Sequence, residues 1–212
     1  MNAATHTSWQ TLVASPLTFV REAALLESFG RPLNSEQLVA LRQAPRFAIR
    51  LEQRLTEHHR LQPLDRVPAP DEADLKALSL TVEQFARLTT LCGAVWHSAT
   101  LSREIRGEVV AQYRERLGAP TLRLVLELRD LAGAADLLRS PAALFDAIEQ
   151  DGAACLNAWL AAQPGPLRDW LVLRLPFPPL TRPIDARQAE VVRRVAAALV
   201  SGDSDSEARP HD

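Results

Sequence analysis

The chain has 212 residues, 47% of them apolar and 24% charged, with a net charge of −2. That length allows one sizeable core or at most two small domains, and the near-neutral balance excludes a global positive field that could hold nucleic acid or anionic lipid. No apolar run reaches the ~20 residues that span a bilayer, and the only lysine, Lys76 in "ADLKALS", follows no phosphate-binding glycine loop.

Residues 1–12 read as a flexible lead, without the charged region and apolar core of a secretory leader. "SPLTFVREAALLESFG" carries helix punctuation: Ser15 as cap, Pro16 at the first helical position and Gly30 as the stop, with Phe19, Val20, Ala23, Ala24 and Leu26 or Leu25 facing a core. A second helix is expected from Ser35 to Ala44, ended or kinked by Pro45. "RFAIRLEQRLTEHHRL" then continues helically with Phe47, Leu51 and Leu55 on one stripe.

Residues 62–71, "QPLDRVPAPD", hold three prolines and read as an internal loop between a smaller N-terminal and a larger C-terminal part. After it, Thr81 with Gln84 forms the pattern of a capping box opening an apolar helix, interrupted at Gly93. "SREIRGEVVAQYRERLG" puts Ile105, Val109, Tyr113 and Leu117 on one helical face, with Gly118 as stop. "TLRLVLELRDL" fits both a strand alternation and a helical face; its Leu, Arg and Glu content favours helix.

Ser140 and Pro141 cap the next helix, in which Gly152 is an interruption. "DWLVLRLP" is again open between strand and short helix; Pro176 restricts Leu175 and favours a helix ending there, with "PFPPLTRP" as an extended connection. The last helix, "DARQAEVVRRVAAALV", has Val191, Val192, Val195 and Leu199 on one stripe with Arg187, Glu190, Arg193 and Arg194 opposite, and the acidic 201–212 reads as a disordered tail. The expected fold is all-α: one compact multi-helix domain over 13–200, with a Pro-rich internal loop and disordered ends.

Reactive motifs are missing. Neither a GxSxG nucleophile elbow nor an HExxH zinc motif occurs. Cys92 and Cys155 sit far apart in apolar surroundings, as buried thiols do, and the clustered carboxylates lie in the loop and the tail. His97 and Cys92 are the one pair with potential chemistry, but no third ligand accompanies them, so no metal and no cofactor is expected.

Three blocks then resemble a known family. "ASPLTFVREAAL", "LCGAVWHSATLSREI" continuing into "TLRLVLELRDLAG", and "AWLAAQPGPLRDWLVLRLP" follow one another in the order of the SctK family of type III secretion proteins, also called YscK or PscK and related to NolU. Gly93 and His97 match the second block; Trp159, Leu160, Ala161, Ala162, Trp170, Leu173, Arg174, Leu175 and Pro176 carry the third. Glu22 departs from a histidine common in the first block, and the arginine of the second is displaced to Arg103 or Arg106.

The resemblance implies a non-enzymatic helical adaptor of the cytoplasmic sorting platform. It would link the cytosolic domain of the ring protein SctD to the SctQ pods, and through SctL to the ATPase SctN. Such a part would be monomeric alone and peripheral at the cytoplasmic face of the inner membrane, with no nucleic acid and no direct membrane insertion. Its expected contact residues are Arg168, Trp170, Arg174, Arg187 and Arg193, because tryptophan and arginine anchor interfaces; the competing reading is core packing for Trp159 and Trp170 and a solvated face for the arginines. The alternatives are a small helical ligand-binding domain or enzyme with a pocket near Cys92 and His97, and a DNA-associated regulator using Arg187, Arg193 and Arg194.

Overall fold

The structure, a computed structural model, describes residues 3–18, 20–29, 35–137, 140–175 and 185–207. Every regular element among them is helical, as the sequence leads one to expect. The α-helices are α1 (Ala3–Ala14), α2 (Glu22–Glu27), α3 (Ser35–Gln43), α4 (Pro45–His59), α5 (Glu72–Ser79), α6 (Val82–Trp96), α7 (Ser98–Arg103), α8 (Gly107–Leu117), α9 (Ala119–Glu127), α10 (Pro141–Ala161), α11 (Gly165–Val172) and α12 (Ala186–Glu207). None of the described helices is long and apolar enough to cross a membrane.

Contacts group the chain into two compact units: residues 1–75 with 163–178, and residues 76–162 with 179–212. In the first, α3 packs on α4, and a 3-10 turn at Pro16–Thr18 packs on α1 and α4. The single helix expected from Ser15 to Gly30 is therefore broken. Arg21 is extended at φ −63° and ψ 147°, and its N–H donates to the Leu173 carbonyl at 3.2 Å, a tertiary bond that takes this backbone out of the helical path. Phe19, Gly30 and the segment 176–184, on which further expectations rest, lie outside the described residues.

The start of the chain is helical through α1, and Trp9 is buried. Pro45 does end α3, by occupying the first position of α4, where its missing N–H costs nothing. On α4, Leu51 and Leu55 are buried, but Phe47 is 44% exposed; the buried stripe begins one turn later than the periodicity places it. The Pro-rich loop is packed, with Leu64 and Val67 buried, as is Leu61 just before it. Trp170 explains part of that order, since its fully buried indole donates from Nε1 to the Gln62 carbonyl at 2.7 Å. α11 thus pins the loop.

The second unit is built around α6, α10 and α12, which pack on one another, with α9 against α6. Its helix starts follow local signals. Thr81 Oγ1 accepts from the Gln84 N–H at 3.2 Å while Gln84 Oε1 accepts from the Thr81 N–H at 2.7 Å, closing the capping box, and Ser140 Oγ accepts from Ala143 N–H at 3.3 Å. Gly118 ends α8 at φ +81°, a conformation that favours glycine. The core holds Leu88, Leu144, Ile148, Leu156 and Trp159, each at most 1% exposed; the Trp159 ring lies 6.4 Å from that of Phe85. Burial of a side chain of this size contributes ~1.5–3 kcal/mol. α12 runs on into the acidic stretch to Glu207, and the expectation for 208–212 lies outside the described residues.

Candidate functional site

Gly93 and Gly152 do not interrupt their helices; they bring them together. A Cβ built on Gly93 would stand 1.9 Å from the Ile148 carbonyl oxygen, and one on Gly152 would stand 1.9 Å from the Thr89 carbonyl oxygen. Each glycine therefore meets the backbone of the other helix. Only hydrogen fits at either position, so α6 and α10 touch main chain to main chain.

This close approach positions a polar pair at the crossing whose histidine ring is buried. His97 follows Gly93 by one turn and caps the end of α6, its N–H donating to the Gly93 carbonyl at 3.0 Å. Its ring is buried, and Nε2 lies 2.8 Å from Asp151 Oδ2 beside Gly152. A carboxylate only accepts, so Nε2 carries the hydrogen. His97 Nδ1 and the neighbouring Ser98 Oγ are buried with no hydrogen-bond partner among the described residues.

The sequence pairs His97 with Cys92, but its partner in the fold is Asp151, fifty-four residues away. Cys92 is fully buried; desolvation first, and then the nearby Cys155, push its thiol well above its ordinary value. Burial likewise pushes Cys155 up to about 12, with Asp151 and Asp185 adding to the shift. Both sulfurs are thiols at neutral pH, closed to solvent. Among the described residues no group of three His, Cys, Asp or Glu side chains is placed to hold a metal ion.

The five expected contact residues are divided between the units. Arg168 is exposed on α11, but Trp170 is completely buried and Arg174 is 6% exposed. Trp170 belongs to the core of the first unit, because its ring is enclosed and its N–H is used by Gln62. Burial lowers the Arg174 guanidinium from 12.5 to about 10, which leaves it charged at neutral pH. In the second unit, Arg187 is exposed, donates to Asp185 at 2.9 Å and lies 5.4 Å over the Trp96 ring; Arg193 is 25% exposed and 3.8 Å from Glu190.

A surface that sequence reasoning missed lies where α7, α8 and α9 meet. A hollow of about 430 Å³ is floored by Leu101, Val110, Tyr113 and Val125, and an adjoining one of about 480 Å³ shares Glu104 and Tyr113 with it. Three large apolar side chains stand open around them: Ile105 at 91%, Leu126 at 56% and Leu137 at 51% exposure. Ile105 was expected on the buried face of a helix. Instead α8 starts at Gly107 after an extended Arg106, so the helical periodicity does not reach Ile105. The signal in the sequence is its setting, "SREIRGE", an isoleucine among charges.

Over 91 residues the chain is 36% identical to the nodulation protein NolU of Rhizobium fredii, and with the same figures to NolU of Sinorhizobium fredii (strain NBRC 101917 / NGR234). This chain is similar to NolU. The match spans 43% of the chain and 43% of each relative, less than half of either, and it bears out the resemblance to a NolU-related family drawn from the three blocks. No family model and no solved structure matches the chain.

Proposed function

We propose that the protein is a non-enzymatic adaptor of a type III secretion sorting platform, joining the cytosolic domain of the ring protein SctD to the SctQ pods and, through SctL, to the SctN ATPase. The observation that carries this reading is the similarity to NolU, to which the family named above is related. The chemistry of the crossing agrees with it: the His97 and Asp151 pair and the two thiols lie where helices are held together, with His97 and Cys92 almost or wholly closed to solvent. An adaptor also needs open apolar surface, which Ile105, Leu126 and Leu137 supply. Its place at the cytoplasmic face of the inner membrane follows from its partners in this reading, because no described helix spans a bilayer.

The test is capture of purified SctD cytosolic domain and of purified SctQ by the full chain. Retention of both supports the link, and retention of neither overturns it. The competing reading, a ligand pocket near Cys92 and His97, needs side chains that the fold encloses.

A further inference from the structure

We propose that the hollow between α7, α8 and α9 is a docking groove for an amphipathic helix with acidic flanks, contributed by a partner protein. The argument begins with shape. The two adjoining hollows are floored by apolar side chains, and half-exposed Leu126 and open Ile105 and Leu137 edge them. Large apolar side chains left in water at the mouth of a formed hollow mark an interaction surface more than isolated ones do. No strand edge exists among the described residues, so a partner cannot add a strand here. Recognition must come from side chains entering the hollows, the mode by which an apolar helix face fills a groove.

Charge selects the occupant. Four arginines line the two hollows, Arg103, Arg106, Arg114 and Arg123, against two carboxylates, Glu104 and Asp136. Both carboxylates are already engaged: Glu104 accepts from Arg106 Nε at 2.8 Å, and Asp136 pairs with Arg103. Arg114 and Arg123 are exposed and form no ion pair among the described residues. The groove therefore presents two uncommitted guanidinium groups beside an apolar floor, on a chain whose net charge is −2. A partner with glutamates or aspartates flanking its apolar face satisfies both features, and a lysine-rich one would meet like charge.

This inference deepens the adaptor reading and rests on it for the identity of the partner, but its chemistry is testable alone. Two fluorescein-labelled helical peptides of about 18 residues, with leucines at i, i+3, i+4 and i+7, carry glutamate at the flanking positions in one and lysine in the other. Fluorescence anisotropy with the full chain should show the acidic peptide binding at least about tenfold tighter. The Arg114→Glu/Arg123→Glu chain should reverse that preference, and Ile105→Ser/Leu126→Ser should weaken the acidic peptide. All four side chains are exposed, so circular dichroism should report unchanged helices.

No binding of either peptide, equal affinity for both, or a preference unmoved by the charge reversal overturns the groove. A wild-type monomer–dimer equilibrium that Ile105→Ser/Leu126→Ser abolishes, seen by sedimentation, also overturns it by assigning the surface to a second copy. The partner captures separate the two readings. Wild type that holds neither SctD nor SctQ sinks the adaptor and leaves the peptide result standing, whereas the Arg114→Glu/Arg123→Glu chain holding both as wild type does sinks the groove alone.

Discussion

At the α6–α10 crossing, two glycines let backbones touch, and residues around them such as Cys92, Cys155 and Ile148 are at most 1% exposed; at the α7–α9 hollow, Ile105, Leu126 and Leu137 are each more than half exposed. The crossing is finished by the chain itself. The hollow is not: its apolar floor and two uncommitted arginines await atoms that the described residues do not supply. The contrast separates positions that set stability from positions that can set binding. Substitutions at the first should unfold the second unit, and substitutions at the second should leave the fold alone.

The largest expected effect is at Gly93 and Gly152. Either Gly→Val puts a side chain where a carbonyl oxygen of the facing helix stands, and a backbone atom cannot rotate away. The helices must separate, at a cost of about 3 kcal/mol or more. Urea denaturation should show a clearly lower midpoint, or no folded protein, for each. A midpoint within error of wild type would mean that the helices are not in backbone contact.

That crossing was hidden in the sequence, and the reason is physical. Glycine within a helix costs about 1 kcal/mol against alanine, so a reading of one sequence takes Gly93 and Gly152 as interruptions. The need for them arises only when a helix fifty residues away lies alongside. The signals that were legible are local: Thr81 with Gln84, Ser140 with Pro141, Pro45 and Gly118 each act within one turn, and each does in the fold what its position implies. Trp170 was ambiguous because tryptophan anchors both cores and interfaces; the partner that decides for the core, Gln62, is 108 residues away. Asp151 beside His97 and the docking hollow were illegible for the same reason, since both are assembled across separate helices.

His97 comes next in size. His97→Ala removes a buried ring and its hydrogen bond to Asp151, and should destabilise by ~2–3 kcal/mol. The loss is moderated because the Asp151 side chain is 28% exposed and can reach water. His97→Gln, which can still donate to Asp151, should cost less than His97→Ala. Thermal melts of the two variants sharpen the comparison: equal losses would assign the effect to packing alone. At the open surface, by contrast, Ile105→Ser and Leu126→Ser should each lie within about 0.5 kcal/mol of wild type. A larger loss in the same melts would make these side chains part of the core rather than a rim.

The smallest effect concerns Glu104, and it bears on why the hollow stays basic. Hydrogen bonds from the Arg106 side chain, and then from its backbone, hold the Glu104 carboxyl down at about 2, from an ordinary 4.5. Because the folded value is the lower one, the contribution is complete above 4.5 and disappears as pH falls through about 2. The Arg106 side chain is 56% exposed, and water screens the pair from that side, so its effect on stability should be slight. The clean measurement is the titration of the Glu104 carboxyl carbon by NMR. In wild type it should keep its charge well below the ordinary 4.5, and Arg106→Gln should return its midpoint toward 4.5. In that variant a freed Glu104 carboxylate borders both hollows and can compete for Arg114. The acidic peptide should then bind more weakly at pH 7 than to wild type, although neither Arg114 nor Arg123 has changed. Unaltered binding, with the titration shifted, would show that Arg114 and Arg123 act without regard to how Glu104 is engaged.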